Sequence, residues 1–186
     1  GANQFVVDLT QALERVDTGA MKLALFGRTR GKGAKVAEWP DLKFIVQRKQ
    51  RVPVAVIVVK SRLLDVERSL ESTAEESLLM AKETVDYLHQ NGVEVFVDFE
   101  HAMDACCGRR EKGIACDAEF NKRSQDYFEK LTDQCVEQGV SRIVICDTNG
   151  GASPEEVAKV FARLQKTFPG AKFGFHGHTD RGLGVA

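Results

Sequence analysis

Arg142-Ile143-Val144-Ile145-Cys146-Asp147-Thr148-Asn149-Gly150-Gly151-Ala152-Ser153-Pro154-Glu155-Glu156 reads as three consecutive pieces of chain. The run from Arg142 to Cys146 is short, apolar and β-branched, the composition of a strand. The next five residues offer a carboxylate, a hydroxyl, an amide and two glycines, which predicts a polar turn at that strand's carboxyl end. Ser153-Pro154-Glu155-Glu156 is a capping box with Pro at the first helical position, so a helix starts there. Strand, polar turn and helix in that order are the first half of a βαβ crossover.

Four more apolar runs extend the alternation in both directions: Met21 to Phe26, Pro53 to Val59, Val93 to Phe99 and Lys172 to Phe175. Most are continuously apolar, as expected of parallel strands covered on both faces. Helical spacing fills the gaps. Ser72 to Gln90 places Leu78, Leu79, Ala81, Val85 and Leu88 near one face and ends at Asn91-Gly92. Asp126 to Gln138 and Val157 to Leu164 show the same period, and shorter helices are expected over Phe5 to Leu13 and Asp41 to Arg48. Right-handed crossovers and one parallel α/β sheet follow. Spacing alone leaves an open doubly wound sheet and a closed barrel equally open.

The chain has 186 residues with 26 basic and 27 acidic side chains, a net charge of −1. That balance gives nucleic acid no electrostatic hold, and no apolar run is long enough to span a bilayer. One domain over residues 1–186 is expected, with no linker and no internal repeat. Five cysteines without a regular framework predict reduced thiols and a cytoplasmic address. The chain starts at Gly-Ala-Asn and stops at Gly-Leu-Gly-Val-Ala, which reads as a segment cut from something longer.

Polar residues gather at the strand ends. His176-Gly177-His178 puts two imidazoles at positions i and i+2, which share one side of a strand. Neutral imidazoles are the commonest protein ligands of divalent transition metals. Two polar residues bonded to water at a strand end is the plain alternative, at even odds on these three residues. Asp180, two residues on, is placed to orient one ring. Asp98, Glu100 and His101 stand where the third apolar run ends, and there an acid can bind a hydroxyl or move a proton, although a solvated loop acid is the plainer reading of these residues alone. The basic stretch Gly27-Arg28-Thr29-Arg30-Gly31-Lys32-Gly33 lacks the spacing of a phosphate-binding loop and reads as a solvated loop. Cys106 to Cys116 reads as a surface excursion.

In order along the chain, Leu25-Phe26-Gly27-Arg28-Thr29-Arg30, Val97-Asp98-Phe99-Glu100-His101, Ile145 to Gly151 and Phe175-His176-Gly177-His178-Thr179-Asp180 resemble the 2-isopropylmalate and homocitrate synthase family of metal-dependent TIM barrels. The first two pieces tilt the resemblance toward its citramalate branch. It implies a (β/α)8 barrel of which this chain covers approximately strands 3 to 7. The first two strands and the last lie outside the sequence. His176 and His178 then match two metal ligands of a divalent cation (magnesium, manganese or zinc). Thr148 matches a residue holding the carboxylate of a 2-keto acid, Glu100 an acid lining the substrate pocket, and Asp180 an acid beside the metal-binding motif.

The implied chemistry is a Claisen-type condensation of acetyl-CoA with a 2-keto acid, pyruvate first, giving (R)-citramalate and CoA on the way to branched-chain amino acids. Relatives with 2-oxoisovalerate or 2-oxoglutarate, a lyase running the bond-making backwards, and a non-catalytic fragment of a barrel are the alternatives. A homodimer is implied for the intact protein. Three positions depart from the family pattern: Thr179 replaces an Asn, Lys60-Ser61-Arg62-Leu63-Leu64-Asp65 lacks a His, and the Cys106 to Cys116 stretch is longer.

Overall fold

A computed structural model describes residues 4–13, 16–107 and 118–185. In chain order the elements are α1 (Gln4–Leu13), β1 (Ala24–Arg28), a 3-10 turn (Val36–Glu38), α2 (Pro40–Arg48), β2 (Val54–Lys60), α3 (Leu63–Arg68), α4 (Ala74–Gln90), β3 (Glu94–Glu100), α5 (Ala102–Cys107), α6 (Ala118–Glu137), β4 (Arg142–Asp147), α7 (Pro154–Thr167) and β5 (Phe173–Gly177). The strands form one sheet in the order β1-β2-β3-β4-β5 with every neighbouring pair parallel. Each strand thus pairs with its successor, and the crossovers carry the helices. Among the described residues no helix is long and apolar enough to cross a membrane.

Side chains alternate across the sheet, so each strand serves two environments. Ala55, Ile57, Val59, Val95, Val97, Phe99, Ile143 and Ile145 face the helices and form the core with Leu42, Ile45, Val85, Leu88, Leu131, Val160 and Leu164. At its centre Phe99 meets Phe128 of α6 edge-on, with ring centroids 5.5 Å apart. The register places Phe26, Val56, Phe96 and Arg142 in one row across the opposite face. There Val56 is 9% exposed and Phe26 64% exposed, so the helix-free face is covered in its middle and open toward β1.

Local signals match local structure. Ser153 accepts from the Glu156 amide at 3.3 Å while Glu156 accepts from the Ser153 amide at 2.8 Å, the reciprocal pair the sequence predicts for α7. Thr73 caps α4 in the same way, accepting from the Glu76 amide. Such caps are worth about 1 kcal/mol each.

Three expectations change. Arg30, expected in a solvated loop, is buried and held by Glu76 and Glu83 of α4, while its amide donates to Thr84. Pairing with two carboxylates is what lets a guanidinium be buried there. Helix α6 starts at Ala118, eight residues before the expected Asp126, because its first two turns are polar and carry no apolar period. Cys106 and Cys107, the first two residues of the expected excursion, are the end of helix α5, and residues 108–117 lie outside the described residues.

Candidate metal and substrate site

The polar residues cluster where β3, β4 and β5 end. Cys146 of β4 and His176 of β5 are register partners, so they share the helix-free face. Asp98 of β3 and Val144 of β4 are partners one pleat earlier on that face. Asp98 therefore reaches His176 diagonally: its Oδ2 lies 2.8 Å from Nδ1 of the ring. An ionised carboxylate only accepts, so the ring carries its proton on Nδ1 and turns Nε2 toward the site. Asp98 is 2% exposed, and among the described residues its other oxygen has no hydrogen-bond partner. Burial pushes its carboxyl above the usual range, against the pull of the His176 hydrogen bond.

His178 follows the strand and is exposed. Its ring stacks on His176 with centroids 4.9 Å apart and planes inclined by 27°. The Cys146 sulfur completes a group of three donors that all lie within 4.8 Å of one another. Burial pushes the Cys146 thiol up to about 11, with the Thr148 hydrogen bond pulling the other way.

Thr148 is fixed from two sides. Its hydroxyl oxygen accepts from the His101 amide at 2.7 Å, and its proton is directed to the Cys146 sulfur at 3.4 Å. His101 supplies that amide with a left-handed backbone, φ 60°, a conformation that costs free energy in any residue but Gly. Asp104 of α5 braces the corner, bonded to His101 Nδ1 at 3.0 Å and to Asn149 Nδ2 at 2.7 Å. Glu100 is half of an ion pair with Lys60, its register partner on β2. Both line a cavity of about 300 Å³ together with Arg28, Lys32, Trp39 and Met80.

Asp180 takes a different place from the orienting one expected of it. Among the described residues neither imidazole is bonded to it, and Asp98 is the acid on His176. Asp180 instead belongs to the turn around Gly150. A Cβ on Gly150 would lie 2.8 Å from the His178 carbonyl oxygen and 2.9 Å from the Asp180 amide nitrogen, and φ is 56° there. Only glycine suits both the angle and the space. The buried Asp147 carboxylate accepts from the Ala152 amide at 2.8 Å and fixes the same loop.

Residues 11–186 match the HMGL-like family. The chain belongs to that family. Among curated relatives of this HMGL-like chain, the (R)-citramalate synthase of Aquifex aeolicus is 32% identical over 176 residues, 95% of this chain and 30% of that protein. The (R)-citramalate synthase of Geobacter sulfurreducens is 28% identical over 186 residues, 100% of this chain and 32% of that protein. The chain thus spans about a third of the length of these relatives.

Solved structures add the fold. The hydroxymethylglutaryl-CoA lyase of Pseudomonas aeruginosa superposes with a TM-score of 0.66 at 11% identity, covering 95% of this chain and 52% of the lyase. The lyase of Acinetobacter baumannii, solved with coenzyme A and 3-methylmalate, gives 0.62 at 16% identity over 95% and 50%. These neighbours are TIM barrels of which the chain covers about half, so its five-stranded sheet is a partial barrel. That settles the choice between open sheet and closed barrel that spacing left standing.

The residues present fit a divalent cation. Two imidazoles and a sulfur converge, and the carboxylate behind His176 has the form of an outer partner that orients a ligating ring. The unpartnered Asp98 oxygen adds negative charge to the neighbourhood.

Proposed function

We propose that the chain supplies the metal-binding and keto-acid-binding part of a synthase that joins acetyl-CoA to pyruvate. The observation that carries this reading is the convergence of His176 and His178, on one side of the sheet, beside the Thr148 hydroxyl and the Asp98 carboxylate. The relatives named (R)-citramalate synthase support the substrate.

His176 and His178 would hold the ion, with Asp98 fixing the tautomer of the first. When bound, a divalent cation acts as a Lewis acid that polarises a carbonyl, worth several kcal/mol of barrier. The chain's own residues do the positioning. Thr148, its oxygen held by the His101 amide, would rotate its proton from the Cys146 sulfur to a carboxylate of the keto acid. The strained His101 corner makes that donor rigid before substrate arrives, which trades folding free energy for orientation. Glu100 faces the neighbouring cavity with Lys60 as its ion-pair partner. Its role there is to hold a substrate hydroxyl or carbonyl by hydrogen bonding. Asp180, in the turn that seats His178, acts on the loop rather than on a ring.

The intact protein, given acetyl-CoA and manganese, is expected to release CoA with pyruvate faster than with 2-oxoisovalerate or 2-oxoglutarate. A thiol-reactive dye reads the release. A preference for either bulkier acid would move the assignment to another synthase, and release with none would remove the synthase reading. Replacing Asp98 by Asn is expected to weaken manganese binding about 10-fold to 100-fold, the usual effect of losing an acid behind a ligating histidine. Calorimetric titration measures it, and unchanged affinity would reduce the Asp98–His176 bond to a packing contact.

A further inference from the structure

Lys60 and Glu100 face each other at the carboxyl ends of β2 and β3, and the pair is held from helices that neither residue belongs to. The pairing of β1 with β2 stops at Arg28 and Val58, so the last two residues of β2 have β3 alone as a ladder neighbour. Beyond that point the Lys60 carbonyl oxygen accepts a hydrogen bond of 2.7 Å from the phenol of Tyr127, on α6. The phenol oxygen lies 2.9 Å from the Ser77 hydroxyl of α4. A carbonyl only accepts, so the phenol proton goes to Lys60 and Ser77 donates to the phenol oxygen. Tyr127 is 2% exposed and Ser77 6% exposed. Burial pushes the phenol up to about 12, which keeps its proton in place. The next residue along completes the arrangement. Ser61 donates to the Glu100 carbonyl oxygen from both its amide, at 3.3 Å, and its hydroxyl, at 2.7 Å.

We propose that Tyr127 is a positioning residue: its hydroxyl, fixed by Ser77, sets the end of β2 and with it the Lys60–Glu100 ion pair that borders the cavity. The consequence for catalysis rests on the synthase reading above, in which Glu100 holds substrate. Packing alone asks only for a ring at this place in the core, and phenylalanine would supply one. A buried hydroxyl has to be satisfied, and both bonds of this one lead to residues that line the cavity, Ser77 and Lys60. Glu100 in turn is tied by the ion pair and by Ser61. Both ties come from the two residues of β2 that Tyr127 anchors. Misplacing a binding group by about 1 Å is enough to cost about 100-fold in rate, so an anchor of this kind has an effect to exert.

The test uses the intact protein and Tyr127→Phe, which removes one oxygen atom and leaves the ring. An amine in an ion pair is a poor nucleophile, because the carboxylate favours its protonated form. Acetylation of Lys60 by acetic anhydride, followed by peptide mass spectrometry, is therefore expected to run severalfold faster in Tyr127→Phe. The exposed Lys35 should react at its usual rate. Ser77→Ala should move Lys60 the same way by a smaller factor, and it carries the test if Tyr127→Phe folds poorly. In Glu100→Gln the pair is already broken, so adding Tyr127→Phe should change Lys60 no further. Lys60 labelling unchanged in both single variants overturns the proposal.

CoA release gives the second readout. Its kcat is expected to fall about tenfold in Tyr127→Phe, the rate equivalent of one hydrogen bond, and to change little when the same substitution is made in Glu100→Gln. Equal losses in the two backgrounds mark a loosened core and overturn the link to Glu100. If the unmodified protein releases no CoA, the synthase reading falls, and Lys60 labelling still decides whether Tyr127 sets the pair.

Discussion

Replacing His178 by Ala in the intact protein is expected to slow CoA release from acetyl-CoA and pyruvate by about a thousandfold or more. That is the rate equivalent of losing several kcal/mol of Lewis-acid stabilisation. His178 is the better of the two rings to remove. It is exposed and, among the described residues, its imidazole makes no side-chain hydrogen bond, only the stacking contact with His176. Its removal leaves no cavity and strands no buried partner. Loss of His176, by contrast, would leave the buried Asp98 carboxylate without the one hydrogen bond it makes among the described residues. A fall at His178 therefore reports chemistry rather than folding, provided the melting temperature is unchanged. A rate within tenfold of wild type would end the metal assignment.

Phe99→Ala is expected to give the largest loss of stability. The ring is 0% exposed and packs edge-on against Phe128, so its deletion opens a hole between β3 and α6. Such truncations cost about 3–5 kcal/mol and lower the melting temperature. Thermal denaturation of the intact protein measures the drop, and a change below about 2 °C would mean that the core lies elsewhere. Phe99 also stands between Asp98 and Glu100, whose side chains point to the opposite face. Loosening the ring should blur the site without touching any polar residue in it.

How the sequence reads against this structure depends on which end of a strand is considered. The amino-terminal parts were visible as apolar runs. All five expected strands stop short at their carboxyl ends: Phe26 against Arg28, Val59 against Lys60, Phe99 against Glu100, Cys146 against Asp147 and Phe175 against Gly177. The reason is physical. Arg28, Lys60, Glu100 and Asp147 are polar because the rim they occupy is where chemistry is placed, and a hydropathy pattern reads them as loop. Helices α3 and α5 span six residues each, too few to show a period. The paired histidines were legible because their partner is two residues away. Asp98 was visible as an acid in an apolar run, but its bond to His176 crosses 78 residues of chain, and a nearer acid, Asp180, was the natural guess. The strained corner at His101 left no trace, since nothing in Glu-His-Ala announces a positive φ.

Gly150 ties these observations to the way the protein can vary. The bend after β4 and the bend after β5 interlock with no slack between them, since even one methyl group would collide with both the His178 carbonyl and the Asp180 amide. Neither bend is at liberty to drift by itself: lengthening one displaces the imidazole carried by the other. Descendants of this chain seeking a new substrate are thus channelled toward altering the cavity wall where Arg28 of β1, Lys60 of β2 and Trp39 at the start of α2 stand, while the interlocked pair is inherited whole.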